Sequence, residues 1–504
     1  MIEDQWGVLK NTKVNSTSKL DLLFQELFKE ESKAKAELLT KKGTNRLIIN
    51  IRNQIYLRRK SLSLKLILFI REKLNFPNAE YVIKKKMGKN VYKVEPYFKL
   101  VEETEEQIQL PRGFAGELIL FCRNEGIKYT LIDERSKHIE VDFKFNLELY
   151  PFQEEVVNTV LKKDFGVIVA PPGAGKTIIS LSLAASLRQP TLIIVHRKQL
   201  FDQWIARIEN FLKIPAHEIG KIASGKKKLG KKITVAMIQS LRKVAQDEKY
   251  NSAFGLIIVD ECHHIPAKTF RETITHFSSF YLYGVTATPK RKNNDEKLIF
   301  FYIGRILATV ETKQVPHLSS VLELVVRPTT LEVPFNYQTD ILEVVSNVLV
   351  FDTARNKMIF ADAKDLIEKG RSILILSERK SHLEVLNLYL HEKFETIVIS
   401  GDDSARARKS KLQQIALGHF QIVLSTGQFL GEGVDMPNFN CLMMVYPFSF
   451  EGKLIQYIGR VHRSANPPII IDYRDEKVTY FEKLFKKRNT YYNKLRKKGM
   501  LKDS

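Results

Sequence analysis

Ala170-Pro-Pro-Gly-Ala-Gly-Lys-Thr177 follows a short apolar run, Gly166-Val-Ile-Val-Ala170, and opens a helix-favouring stretch, Ile178-Ile-Ser-Leu-Ser-Leu-Ala-Ala185. Strand, loop and helix in that order are the setting a phosphate-binding loop requires. Gly173 and Gly175 let the backbone curl so that successive N–H groups, those around Pro172 and Ala174 included, point at phosphate oxygens. The start of the helix adds partial positive charge. Lys176 can reach terminal phosphates, and Thr177 offers a hydroxyl to Mg²⁺. Ala170 stands where the usual pattern has Gly. The competing reading is a plain Gly/Pro turn before a helix, and two further motifs weigh against it.

Asp260-Glu-Cys-His-His264 follows a second buried-strand pattern, Gly255-Leu-Ile-Ile-Val259. An apolar run ending in paired carboxylates places them at the carboxyl edge of a parallel sheet, beside the first loop. Asp260 there would hold Mg²⁺, and Glu261 would orient and deprotonate an attacking water. Zinc binding by Cys262, His263 and His264 is a rival. Adjacent ligands do not close a tetrahedron easily, and no second Cys/His pair lies at metal spacing. The third element is Gln456-Tyr-Ile-Gly-Arg460-Val-His-Arg463. Arg460 and Arg463 are three apart, so a helix projects both from one face. Two guanidiniums suit a phosphoryl group whose charge is building up. A solvated basic face is the alternative, less apt here because Gly459 permits close approach of another surface.

These elements, in this order, resemble those of superfamily 2 helicases and translocases. Tyr150-Pro-Phe-Gln153 resembles the adenine-reading glutamine motif, and Thr191–Trp204 resembles motif Ia. Ile238-Gln-Ser-Leu241, Gly284-Val-Thr-Ala-Thr-Pro289, Ile373–Arg379 and Ser425–Asp435 are similar to the strand-contact motif and motifs III, IV and V. The wording Val195-His-Arg-Lys-Gln-Leu-Phe-Asp-Gln-Trp204, with Asp-Glu-Cys-His-His and Gly431-Glu-Gly433, resembles the XPB-like branch, especially the helicase module of bacterial TOTE conflict-system proteins. The resemblance implies an α/β fold: two RecA-like parallel-sheet lobes in tandem, with a small α+β N-terminal domain and a helical C-terminal tail. It implies ATP and Mg²⁺ between the lobes, with Gln153 on the adenine. Arg197, Gln239, Thr286 and Thr288 would couple nucleotide state to nucleic acid, helped by Gly431, Gly433 and Asp435, the last two also on the nucleotide. The sequence lacks an XPB-type Arg-Glu-Asp motif, a thumb insertion between Ser400 and Gln456, and a primase-like region, so functions resting on those parts are not carried over.

Composition agrees with such a motor. The 504 residues imply several domains with separate cores, and 44% hydrophobic with 27% charged residues is ordinary for globular chains. A net charge of +23 points to a polyanionic partner. The expected partner is DNA, duplex, forked or single-stranded, gripped without sequence reading, because no helix-turn-helix or zinc-finger pattern occurs. Only three cysteines occur (Cys122, Cys262 and Cys441), far apart, so a reducing compartment is expected. No basic-then-apolar leader and no 18-residue apolar run occurs. The expectation is a cytoplasmic protein away from membranes.

The expected divisions are a polar helical segment over 1–45, a small α+β DNA-contacting domain over 46–146, lobe one over 147–330, lobe two over 331–476 and a basic tail over 477–504. Leu20, Leu23, Phe24, Leu27 and Phe28 recur at helical spacing, the pattern of a docking face for a protein partner or of a core face. Leu110-Pro-Arg-Gly-Phe-Ala-Gly116 with Gly126-Ile-Lys-Tyr129 resembles the small DNA-contacting domain of UvsW-type translocases. The tail carries ten Lys/Arg against two acids, interleaved with Tyr480, Phe481, Phe485, Tyr491 and Tyr492. It reads either as a basic amphipathic helix docked by its aromatics with its outward charges towards DNA, or as a solvated helix. Lys226–Lys232, Lys84–Lys86 and Lys290–Lys292 are either phosphate contacts or solvated surface. Glu451-Gly-Lys453 is a nuclease-like fragment with no strand-borne Asp partner and is rejected. Two rivals keep the ATPase: a defence or restriction motor moving on duplex DNA without unwinding, and an RNA-directed helicase. A nucleotide-gated clamp with little turnover is opposed by intact Lys176, Glu261 and Arg460.

Overall fold

The computed structural model describes residues 46–86, 90–92, 94–289, 295–316, 321–335, 342–430, 439–449, 451–461 and 467–503. The chain forms two compact units. The smaller takes in the described residues up to Ile51, then Ile55–Leu110 and Ala115–Asp133. Besides a two-stranded sheet of Asn75–Pro77 and Tyr97–Lys99, it has the strands β1 (Leu47–Ile51), β2 (Ile55–Arg58), β3 (Glu102–Glu103), β4 (Gln107–Leu110) and β5 (Tyr129–Asp133). They form one sheet in the order β3-β4-β2-β1-β5. Tight antiparallel turns join β1 to β2 and β3 to β4, whereas β5 returns parallel to β1. The helices Leu64–Leu74 and Ala115–Asn124 meet through a stack of Phe69 on Phe121, with ring centroids 3.9 Å apart. The unit is α+β. Residues 134–146, expected here, belong to the larger unit, where Ser136 bridges to Ser279 and the Val141 N–H reaches the Arg188 carbonyl.

The larger unit contains two parallel sheets. The first has β6 (Phe165–Val169), β7 (Thr191–Val195), β8 (Gly220–Ala223), β9 (Lys226–Lys228), β10 (Ile233–Met237), β11 (Leu256–Asp260), β12 (Tyr281–Thr286) and β13 (Ile306–Thr309). Their order is β9-β8-β10-β7-β11-β12-β6-β13, parallel except for β9. A parallel strand is covered on both faces, so it is apolar throughout. In β7, Ile193 and Val195 join one core, and Leu192 and Ile194 join the other. Three helices position the site: α1 (Pro151–Val160), α2 (Lys176–Leu187) and α3 (Lys198–Leu212).

The second sheet has β14 (Leu322–Pro328), β15 (Ile373–Ser377), β16 (Thr396–Ile399), β17 (Ile422–Thr426), β18 (Cys441–Met444), β19 (Ile469–Arg474) and β20 (Leu501–Asp503). Their order is β16-β17-β15-β18-β19-β14-β20, all parallel. Two features differ from what the sequence predicts. The strand β14, expected in lobe one, pairs with β19, so the lobe boundary precedes Leu322 rather than following residue 330. The tail, expected as a docked helix, also adds a strand to the sheet. Its helix α5 (Thr479–Lys497) buries Phe485, Tyr492 and Leu495 in the lobe-two core, and β20 then extends the sheet.

The aromatic docking expected of the tail is present, but Arg488 points inward. Its Nε and Nη2 each donate to a separate oxygen of Asp472 at 2.8 Å, and Nη1 donates to the Phe448 carbonyl. The Tyr492 hydroxyl donates to the same carboxylate at 2.8 Å. Asp472 and Arg488 are 0% and 2% exposed, so removing one partner strands a buried charge. Arg488→Ala should therefore lower unfolding free energy by about 3–5 kcal/mol. The double substitution Arg488→Met with Asp472→Leu should restore most of it. Urea denaturation read by circular dichroism checks both, and a near-neutral Arg488→Ala would show that the pair does not tie the tail down.

Candidate active site

Strand β6 ends at Val169, and α2 begins at Lys176. Gly175 caps that helix at φ +79°, a backbone region that L side chains rarely adopt. Space excludes a side chain there as well, because a Cβ would lie 2.4 Å from Gln153 Nε2. Gln153, expected to face the adenine, is 3% exposed. Its Nε2 donates to the Ala174 carbonyl at 3.0 Å, and its Oε1 accepts from the Tyr150 N–H at 3.1 Å. In this structure it braces the phosphate loop against the start of α1.

Strand β11 delivers Asp260 and Glu261 at its carboxyl end. Glu261 sits at φ +47°, a left-handed conformation that a non-glycine residue holds only when its surroundings enforce it. Lys176 Nζ donates to Glu261 Oε1 at 3.1 Å, which joins the phosphate loop to the paired acids. His263 Nδ1 lies 3.2 Å from Glu261 Oε2 and 3.0 Å from Thr286 Oγ1. The Thr286 hydroxyl donates to the Thr288 carbonyl at 3.0 Å, so the proton facing it belongs on His263 Nδ1. Thr286 is fully buried. It therefore links Glu261 to the segment after β12 and does not itself face the surface.

Burial pushes both carboxyls up, with opposite net results. At Glu261 the Lys176 ammonium, and after it His263, outweigh burial and hold the carboxyl well below the usual range. At Asp260 burial dominates, the Glu261 charge adds to it, and Lys176 and Trp204 only partly offset them, so its carboxyl is raised. Asp260 Oδ2 accepts from the Trp204 indole N–H at 2.8 Å, and Oδ1 accepts from the Glu261 N–H at 2.9 Å. The Thr177 hydroxyl accepts from Arg207 Nη1 at 2.6 Å.

The remaining predicted coupling residues lie on the same sheet edge. Arg197 precedes α3 as its cap, and burial lowers its pKa. Gln239 Nε2 donates to the His196 carbonyl at 3.1 Å, tying the segment after β10 to the one after β7. The His196 ring lies 3.9 Å from that of His264. Burial, with Arg197 adding to it, lowers the His196 pKa to about 4, so the ring is neutral at neutral pH.

From lobe two comes α4 (Glu451–Val461). Lys453 Nζ and Tyr457 OH donate to the two oxygens of Glu378 at 2.6 and 2.8 Å, which fixes this helix against the end of β15. Two residues beyond Tyr457, Gly459 meets the loop that precedes α2. A Cβ there would lie 2.7 Å from Pro172 Cβ. Arg460 is half-buried on this helix, beside that contact. Arg463, Gly431, Gly433 and Asp435 lie outside the described residues, as do Lys290–Lys292 and the stripe from Leu20 to Phe28. Sequence reasoning missed Trp204, Arg207 and Glu378. The first two sit three apart on α3, and that spacing could have marked them as one face.

Residues 146–291 match the family described as "Type III restriction enzyme, res subunit", and residues 358–465 match "Helicase conserved C-terminal domain". The chain belongs to the superfamily 2 helicases and translocases. It is 28% identical over 373 residues to a putative ATP-dependent RNA helicase, L396, of Acanthamoeba polyphaga mimivirus, covering 70% of this chain and 69% of that protein. It is 26% identical over 367 residues to the DNA 3'-5' translocase XPB2 of Sulfurisphaera tokodaii, covering 65% and 81%. Among solved structures, Saccharomyces cerevisiae Dbp5 bound to RNA and ADP BeF3 shares the fold. Its TM-score is 0.50 at 13% identity, over 68% of this chain and 88% of that one. The helicase is thus an ATP-hydrolysing enzyme, and α4 of its second lobe packs on the loop that precedes α2. No described helix is long and apolar enough to cross a membrane.

The tight fit of Gly459 on Pro172 makes lobe closure sensitive to one methyl group. Gly459→Ala should slow ATP turnover by about 10²-fold, the cost of roughly 1 Å of misplacement, while the melting temperature moves little. ATPase assays and thermal melts check this. A rate within twofold of the parent would show that the contact is not made during turnover.

Proposed function

We propose that the helicase uses ATP hydrolysis between its lobes to move along DNA, gripping phosphates without reading sequence. The observation that carries this reading is the convergence at one sheet edge of Lys176, Asp260 and Glu261, with the Arg460 helix packed on Pro172. Asp260 and Thr177 present a carboxylate and a hydroxyl, the hard oxygen donors that Mg²⁺ selects. Both would hold the ion, which when bound would neutralise charge on the phosphates.

The chain's own residues supply the rest. Lys176 is paired with Glu261, and an arriving phosphate competes for that ammonium. Withdrawal of the ammonium returns basicity to Glu261, so the base is released as substrate binds. Glu261 then orients a water and takes its proton, with its second oxygen steadied by His263. Arg460, and Arg463 with it, would stabilise charge developing on the phosphoryl group. Thr286 and Thr288 would carry the state of Glu261 to the strand through His263, and Gly433 and Asp435 would act from lobe two. Gln153 would read the adenine with the capacity its amide has left. Within the superfamily we infer the XPB-like branch, close to the TOTE helicase module, from the Val195–Trp204 and Asp260–His264 wording.

ATPase rate measured across single-stranded, duplex and forked DNA and RNA tests the track, and stimulation by RNA alone would overturn the DNA reading. The family description of the first lobe favours a second reading, a restriction-type motor that moves on duplex without separating strands. A triplex-displacement assay beside a strand-displacement assay separates the two.

Glu261→Gln should retain ATP binding while turnover falls by about 10²–10⁴-fold. Hydrolysis near the parental rate would remove Glu261 from the role of base.

For the track, Lys226–Lys228 form the exposed edge strand β9, with Lys228 Nζ donating to the His217 carbonyl at 2.6 Å. Neutralising about five phosphates gives a log–log salt slope near −4 to −5 on duplex DNA. Changing the three lysines to Ser should make the slope shallower by about one for each phosphate no longer neutralised, with ATPase in the absence of DNA unchanged. A steep slope that ignores these changes would place the grip elsewhere.

A further inference from the structure

Helix α3 reaches both oxygen donors of the nucleotide site. Trp204 and Arg207, three residues apart, lie on one face of it. Trp204 is 2% exposed, and its indole N–H is donor-only. That N–H meets Asp260 Oδ2 at 2.8 Å, while the Glu261 N–H meets Oδ1 at 2.9 Å. Each carboxylate oxygen is thereby held by one donor and keeps further lone-pair capacity. Arg207 Nη1 meets Thr177 Oγ1 at 2.6 Å. A carboxylate on a strand end can rotate about its side-chain torsions, and in a buried site only a fixed donor stops it. None of the sequence motifs assigns Trp204 a part in the reaction.

We infer that Trp204 is a positioning residue of the metal site: its indole N–H, carried by α3, holds the Asp260 carboxylate in the orientation that takes Mg²⁺. The inference rests on the reading of Asp260 as a metal ligand. It adds a route from the track to the metal that does not pass through Thr286. The helix α3 is capped by Arg197, one of the expected coupling residues, and bonds Asp260 two turns later. A shift of its first turn on binding nucleic acid would move the donor on which the carboxylate depends.

The full chain has two tryptophans, Trp6 and Trp204, which gives a test that leaves the core intact. In the Trp6→Phe chain, indole emission reports Trp204 alone. With a non-hydrolysable ATP analogue present, adding Mg²⁺ should change that emission, and Asp260→Asn should abolish the change. Trp204→Phe keeps a ring and removes the N–H. Its half-saturating Mg²⁺ for binding a fluorescent ATP analogue should rise by about 10–100-fold. Nucleotide affinity in EDTA should stay at the parental value, and excess Mg²⁺ should rescue ATP turnover. A purely structural role would instead lower the melting temperature and weaken nucleotide binding with or without Mg²⁺.

An unchanged Mg²⁺ midpoint in folded Trp204→Phe overturns the inference, as does Trp204 emission that ignores Mg²⁺. Should Trp204→Phe not fold, the emission experiment decides alone. A parental chain that binds and hydrolyses ATP equally well in EDTA overturns the metal reading of Asp260, and this inference with it. A Mg²⁺-dependent parent with an indifferent Trp204→Phe overturns this inference only.

Discussion

Asp260 and Glu261 are consecutive carboxylates enclosed at the end of one strand, and two like charges so close in a site shielded from water cannot both remain ionised without compensation. Lys176 supplies the compensation from the phosphate loop, and the geometry around the site follows from keeping the three groups in reach. The left-handed backbone of Glu261 turns its carboxylate towards that lysine. Gln153 braces the loop from below, Trp204 holds the neighbouring acid, and His263 steadies the second oxygen of Glu261. The site is electrostatically closed on itself. In the proposed function a phosphate chain would enter by exchange, replacing one anion on Lys176 with another.

The second lobe meets a different constraint: α4 packs Gly459 on the loop, yet stays attached to its own sheet. Glu378 anchors it from the end of β15 through Lys453 and Tyr457, and the tail clamps its approach, since Arg488 also holds the Phe448 carbonyl just before α4 begins. Lys494 pairs with Glu451 at the first residue of the same helix at 2.9 Å. The Glu-x-Lys fragment at Glu451–Lys453 thus has a structural use, with both charges engaged in orienting α4.

What could be read from the sequence was what chemistry forces to be contiguous. A phosphate loop needs its glycines, lysine and hydroxyl in one turn, and paired acids need one strand end, so the meeting of Lys176 with Asp260 and Glu261 was legible. The βα alternation gave the parallel sheets because strands covered on both faces are largely apolar, as β7, β11 and β15 are, each buried along its whole length. Pairings between distant residues left no such mark. Leu322–Pro328 reads as a strand, but nothing local says which sheet will accept it. Trp204 reads as a core aromatic until Asp260 is placed under its N–H. The tail's charge count concealed Arg488, because a buried guanidinium looks the same in composition as a solvated one. Gln153 was expected on the adenine, whereas its bracing of the loop depends on a backbone carbonyl, which sequence does not display.

The position of β14 bears on how the helicase is made. The strand emerges from the ribosome directly after lobe one is complete, but both of its neighbours, β19 and β20, are synthesised much later. Lobe one can close around its own core during synthesis, because all its strands precede β14. Until β19 arrives, β14 is a strand with two open edges and Leu322, Leu324, Val325 and Val326 uncovered, the kind of template on which nascent chains associate. Its place in the second sheet, between two late strands, makes lobe two the slower, later-assembling half, as expected where pairing is strongly non-local. Chaperone demand during biogenesis should accordingly be greatest while residues between β14 and β19 are being translated.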